Sequence, residues 1–273
     1  MKTHHLRSII LVLIFSITAP LLVAQDTIAS DASTDNINEW VKERRDEGFR
    51  DHGPIYVETI KYLESGSDNI ILEPFNTVSA ALFVLIAAWF LYRYRKGKMH
   101  SAFILYCIIM LMIGGISGTI YHALRVWPVF MYVDGGTIGM LMFSFTAWII
   151  YKLIRNLWIA ILAIPFGIAL TFLLMYILIS SGVNFNPSLF YAIMGIILVI
   201  PLIIYLFKTS FRGSKYIGLA LLAFSIAIFS RAFDLRSSLP MGSHFLWHIS
   251  GALATVFMFY YAWSEEKIRL SIK

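Results

Sequence analysis

Two of the seven histidines, His244 and His248, stand four residues apart in the stretch GSHFLWHISGA. On a helix that spacing projects both rings from one face, stacked by about a turn. A third imidazole from another helix would complete a three-nitrogen face of the kind that holds zinc and leaves a position for water. By itself the spacing is a weak pattern, because two imidazoles in a helix bundle can equally serve as a hydrogen-bonded network that pins helices together. Which chemistry is open to them depends on where the other ionisable groups lie.

The elements that must position these rings follow from composition. Of 273 residues 59% are hydrophobic and only 14% charged, the balance of a chain that spans a membrane. Seven apolar segments are expected, at about 75 to 92, 101 to 121, 127 to 151, 157 to 180, 189 to 207, 215 to 230 and 243 to 264. Most approach the roughly 20 residues needed to cross the hydrocarbon region. The fold class expected is therefore all-α, a polytopic seven-transmembrane helix bundle over residues 55–264, with a cytoplasmic tail at 265–273.

Sidedness follows from the connections. YRYRKGK, YKLIRN, the FKTSFRGSK link and EEKIRLSIK together hold twelve Lys and Arg, against three in HALRVWP, SGVNFNPS and RAFDLRSSLPMGS. The positive-inside rule then puts the mature N-terminus outside and the C-terminus inside. That topology accounts for the net charge of +6 without a nucleic-acid partner. Residues 1–24, MKTHHLRSIILVLIFSITAPLLVA, have the basic start, apolar run and small final residue of a secretory signal peptide. Residues 25–54 read as a polar extracytoplasmic segment with a short helix around Asn38 to Glu47. Cys107 stands alone in an apolar run, so the reading is a buried thiol with no disulfide. Tandem repeats and a glycine-rich phosphate loop are absent from the sequence.

With sidedness fixed, depths can be compared. His122 falls at the outer end of span two, Asp134 within the first two turns of span three, and His244 with His248 in the outer half of span seven. His4 and His5 lie in the leader, His52 precedes the first span and His100 falls at the inner surface, which leaves one trio: His122, His244 and His248. Ionisable groups within spans usually face a cavity or a partner. Asp134 could hold a ligating imidazole, orient a metal-bound water, or pair with Arg125. Ser117 and Thr119, in GGISGTIYH, could turn hydroxyls toward the trio or bond to their own helix. Pro165 and Pro201 lie inside spans four and five, where they could kink a helix or line a cavity.

Three ordered blocks carry a family resemblance: IYVE followed by EPFNTVSA; GGISGTIYH with Asp134 downstream; and SRAFDLRSSLPMGSHFLWH. Together they span about residues 55 to 250. The chain resembles the alkaline ceramidase family, within a superfamily of seven-span presumed hydrolases that includes adiponectin-receptor-like proteins. What the resemblance implies is zinc on His122, His244 and His248, with Asp134 as the acidic residue of the site. It also implies hydrolysis of the amide of ceramide, or of a related long-chain N-acyl lipid, to fatty acid and sphingoid base.

Two departures from that family stand out. A serine is common four residues before the first histidine, where this chain has Gly118, and Ser117 is one position off; Ser117 is carried as the candidate catalytic hydroxyl beside Asp134. The family's animal members also hold calcium near the N-terminal end. Here Ile55 replaces an aspartate, while Tyr56, Glu58 and Glu73 follow the pattern, so Glu58 and Glu73 are candidate calcium ligands. Either glutamate could instead cap a helix or meet Arg231. Asn76 and the pair Arg231 and Asp234 are read as structural.

The expected partner is a membrane lipid substrate, with no obligate protein partner evident, and the expected location is a bacterial inner membrane with the metal site toward the periplasm. Alternatives are another lipid hydrolase or remodelling enzyme of the superfamily, or a heptahelical receptor or sensor with a structural zinc.

Overall fold

The structure, a computed structural model, describes residues 53–66, 69–97, 99–183 and 187–271. The expected signal peptide and most of the polar segment, with its short helix, lie outside the described residues. A short helix, α1 (Val57–Ser65), precedes seven long ones: α2 (Pro74–Lys96), α3 (Ala102–Leu124), α4 (Pro128–Ile154), α5 (Leu157–Ser180), α6 (Pro187–Lys208), α7 (Ser214–Ala232) and α8 (His244–Ser271). All seven are long and apolar enough to cross a membrane, including the 19-residue α7 that corresponds to the short sixth segment. The protein is an all-α bundle and an integral membrane protein.

Local chemistry sets the helix ends. Proline opens α2, α4 and α6, where its missing N–H costs no hydrogen bond. Ser101 and Asn156 cap α3 and α5 through their side-chain oxygens. The last helix runs to Ser271, so most of the segment expected as a tail is a continuation of α8.

Helix packing follows a closed circuit, α2 on α3, α3 on α4, α4 on α6, α6 on α7, α7 on α8 and α8 back on α2. The fifth helix, α5, packs on α4 and α6 from outside this ring. Its outward face carries exposed Trp158, Leu162, Phe166 and Tyr176, as a lipid-facing helix must. Glycines of GGISG set the spacing around α3. A Cβ on Gly115 would come within 2.8 Å of the Val84 backbone nitrogen on α2, and one on Gly114 would collide with Thr137 on α4. Small residues thus let three helices approach closely, which is how helices associate where water supplies no driving force.

At the basic end of the bundle two adjacent carboxylates of α8 are buried and fully engaged. Glu265 accepts two bonds from Arg212, at 2.7 and 2.8 Å, and one from the Tyr205 hydroxyl at 2.6 Å. Glu266 meets Lys152 at 3.1 Å and Arg269 at 2.8 Å, and accepts from Ser101 and the Trp148 indole. Removing one partner of a buried pair strands the other as an uncompensated charge. Glu266→Ala is expected to destabilise the bundle by about 3 kcal/mol, read as a lowered thermal midpoint in detergent; an unchanged midpoint would show that Lys152 finds water instead.

Candidate metal centre

At the opposite end of the ring, His122 closes the last turn of α3 while His244 and His248 occupy the first two turns of α8. One nitrogen from each of the three rings lies within 4.8 Å of the others. All three are withdrawn from solvent, at 1%, 1% and 3% exposure, so the group is not a surface coincidence. Ring centroids are 4.7 Å apart for His244 and His248, 4.8 Å for His122 and His248, and 5.2 Å for His122 and His244. The trio read from spacing and sidedness is therefore brought together.

The hydrogen bonds of the trio dictate which nitrogens are available. His122 donates from Nδ1 to Glu73 Oε2 at 2.6 Å, which leaves Nε2 with its lone pair. His248 Nδ1 lies 2.9 Å from Ser79 Oγ, and the single Ser79 hydroxyl proton goes to the Asn76 carbonyl. That network assigns the proton to His248 Nδ1 and again leaves Nε2 bare. His244 is different, since both its ring nitrogens are buried and neither has a hydrogen-bond partner among the described residues. Its plane is fixed by stacking on Tyr56, with centroids 3.7 Å apart and planes 18° from parallel. A buried imidazole with two unmet nitrogens is costly unless something else bonds it. A metal ion on three imidazole nitrogens, two of them oriented by Glu73 and Ser79, satisfies that requirement. The donor set suits zinc, and imidazole also suits other first-row ions.

Glu73 organises the rest of the site. Besides His122 it accepts from Arg125 Nη1 at 2.6 Å, from Asn76 Nδ2 at 3.1 Å and from the Thr59 hydroxyl. Burial on its own would raise the Glu73 pKa, but Arg125 and His122 outweigh it and hold the carboxyl down at about 2. Arg125 reaches this carboxylate from an uncommon backbone conformation, φ 50°, just after α3 ends. It also donates to the Pro54 carbonyl and lies over the Tyr121 ring. The ion pair open to Arg125 in the sequence was with Asp134, and the structure gives it to Glu73.

The two candidate calcium ligands have other partners. Glu58 accepts the backbone N–H groups of Phe75 and Asn76, both at 2.8 Å, and so caps the N-terminus of α2. Burial pushes its carboxyl up to about 7 against those two donors. Asp234 has a similar role. It accepts from Ser243 and His244 N–H at the start of α8 and from Val57 N–H at the start of α1, which sets the height of His244 and of Tyr56 before it. Capping, the alternative reading for Glu58, is what the structure shows, and the same work occupies Asp234.

Asp134 lies where Gly118 leaves room: a Cβ at residue 118 would stand 2.8 Å from Asp134 Oδ1. Its carboxylate is within electrostatic reach of His122 and of Arg231 without an ion pair to either. Ser117 turns away, donating to the Phe130 carbonyl at 2.8 Å, and Thr119 bonds to the Gly115 carbonyl of its own helix. Sequence reasoning missed Ser79, Tyr56 and Thr59 as supports of the trio. From sequence Glu73 reads as a ligand of a separate calcium site, a helix cap or a partner of Arg231, and no spacing rule links residue 73 to residue 122.

Below the trio the helix ring encloses an apolar cavity of about 190 Å³. Asp134, Gly115, Phe83 and Trp247 stand on its wall toward the histidines, and Ile104 and Ala262 toward the basic end. Neither Pro165 nor Pro201 lines it. Between Trp247 and Ala262, α8 rises by roughly 22 Å, so the space runs along most of a membrane half and more.

The class that fold and site define is a polytopic all-α membrane protein with a buried three-histidine cluster able to hold a metal ion. No family model matches the chain, and no curated protein matches it. The geometry predicts that His244→Ala abolishes binding of a divalent first-row ion by the purified protein, while Ser79→Ala weakens it about tenfold through loss of ring orientation. Metal analysis and competition with a chelator check both, and full occupancy in His244→Ala would contradict the assignment.

Proposed function

We propose that this protein is a zinc-dependent intramembrane hydrolase of the alkaline ceramidase type, cleaving the amide of ceramide or of a related long-chain N-acyl lipid. The observation that carries the proposal is His244, doubly unpartnered in a buried trio whose other two rings already have their outer nitrogens held. An apolar cavity beginning at the same level supports a substrate with a long acyl chain. The blocks that resemble the ceramidase family fall on this site: Glu73 and Asn76 from EPFNT, His122 and Gly118 from GGISGTIYH, and both histidines of α8.

His122, His244 and His248 would hold the zinc, which when bound supplies a Lewis acid for the carbonyl and lowers the pKa of water. Glu73 and Ser79 keep the two rings they touch in the tautomer with Nε2 bare. Asp134 is the carboxylate in reach of the trio and on the cavity wall, and it would take a proton from the attacking water at one of its oxygens. As the water oxygen adds to the carbonyl carbon, the C=O π pair moves onto oxygen. The pair returns as the C–N bond breaks, and the nitrogen leaves as an amine with the proton that Asp134 held. The cavity side chains hold the acyl chain and exclude bulk water. The hydroxyl of Ser117, bonded to the Phe130 carbonyl, has no step in this scheme.

Orientation completes the reading: the histidine end faces the periplasm of a bacterial inner membrane, and the basic end faces the cytoplasm. An amide close to the lipid headgroups suits a site one or two turns inside the outer surface. Calcium has no part in the scheme, since Glu58 and Glu73 each have a structural task. For Asp134→Asn we expect at least about a hundredfold loss of kcat on ceramide with zinc content unchanged, measured by release of fatty acid from the purified protein. Zinc without release of fatty acid from ceramide or any N-acyl lipid, by the unaltered chain, would instead favour a sensor.

A further inference from the structure

Arg231 is a half-buried cation without an acidic partner, as is Arg93, which lies over Tyr260 and Trp263 near the basic end. Arg125, Lys152, Arg212 and Arg269 each have a carboxylate within 4.0 Å. Among the described residues Arg231 has none. Its guanidinium lies instead over two aromatic faces, 5.3 Å from the Tyr191 centroid and 5.2 Å from that of Trp247. The neighbouring acid, Asp234, is committed to three backbone N–H groups. Asp134 acts on Arg231 only through space.

Position gives this cation a meaning. Trp247 is a wall of the apolar cavity, and Arg231 lies against its ring without itself lining the space. The charge of Arg231 also acts on His244, His248 and Asp134, so it stands near the trio. Aromatic faces offset part of the cost of withdrawing a guanidinium from water, but they supply no hydrogen-bond acceptor in the plane of its N–H groups. Apolar space with a cation against one of its walls, and no acid beside that cation, suits an amphiphile whose chain ends in an anionic oxygen.

We propose that Arg231 is an oxyanion-binding subsite, receiving the negatively charged oxygen at the head of an acyl lipid whose chain lies in the cavity. The catalytic meaning rests on the hydrolase reading above: the oxygen is the one that gains the C=O π pair on attack. At residue 118 there is no hydroxyl to serve it, and Ser117 and Thr119 are turned to backbone carbonyls. Donors aimed at the place where charge develops are the largest single source of stabilisation in such reactions.

The test reads binding rather than turnover, so its outcome and that of the ceramide assay are separable. Dodecylphosphonate and dodecanol share a chain and differ in the anionic head. Their affinities would be measured by calorimetry on the full chain as purified, with metal content matched between variants. Arg231→Gln is expected to weaken dodecylphosphonate about tenfold or more and to leave dodecanol unchanged, as loss of a charge-assisted bond requires. Arg231→Lys, which keeps the charge but not the planar fork, is expected to recover part of that loss. A loss under about fivefold in Arg231→Gln, or an equal loss for both ligands, would overturn the proposal, the second because it marks Arg231 as a packing residue of the cavity wall.

Discussion

The carboxylate of Glu73 is the constraint on which the histidine end of this bundle depends. It lies at the foot of α2, fully buried, and accepts donors from α1, α2, the end of α3 and the residue after it. A buried carboxylate must be paired and hydrogen-bonded to stay charged, and here Arg125 supplies the charge while three neutral donors fill the remaining positions. The same bonds fix His122 in one tautomer and fix the turn that ends α3. Replacing any one donor loosens the others, because they share two oxygens. Glu58 and Asp234 extend the arrangement by capping α2, α1 and α8, so that three helix starts are tied together around the histidine trio.

The bundle has opposite chemistry at its two ends. At the basic end Glu265 and Glu266 meet a cation, a hydroxyl or an indole at every oxygen, although the nearby Tyr261 hydroxyl and Trp263 indole have no partner among the described residues. At the histidine end both ring nitrogens of His244 have no partner among the described residues, and Arg231 has no carboxylate within 4.0 Å. Closed networks hold a membrane bundle together, whereas open buried polar groups mark a place where something else binds. The apolar cavity leads to the open end.

Much of this was legible in the sequence. The i,i+4 histidines and the charge asymmetry of the loops were enough to bring His122 to His244 and His248, because depth in a membrane is set by helix direction. Asp134 could be placed near them for the same reason. Its contact with Gly118 could not, since it depends on how closely α3 and α4 approach. Glu73 and Ser79 were hidden for a different reason. A carboxylate at a helix start has many reachable partners, and a serine among small apolar residues reads as packing. EEK near the C-terminus reads as a solvated tail because its partners, Lys152 and Arg212, lie 113 and 53 residues earlier. The exclusion of α5 from the ring was equally illegible, as every span is apolar on all faces.

The central claim is that three imidazoles share one metal ion. X-ray absorption at the zinc edge, on the protein purified without added chelator, tests it most directly. About one zinc per chain is expected, with three imidazole nitrogens at roughly 2.0–2.1 Å and one further light ligand. Zinc bound with fewer than three imidazoles, or metal-replete protein that holds none, would contradict it and return the trio to a packed polar network.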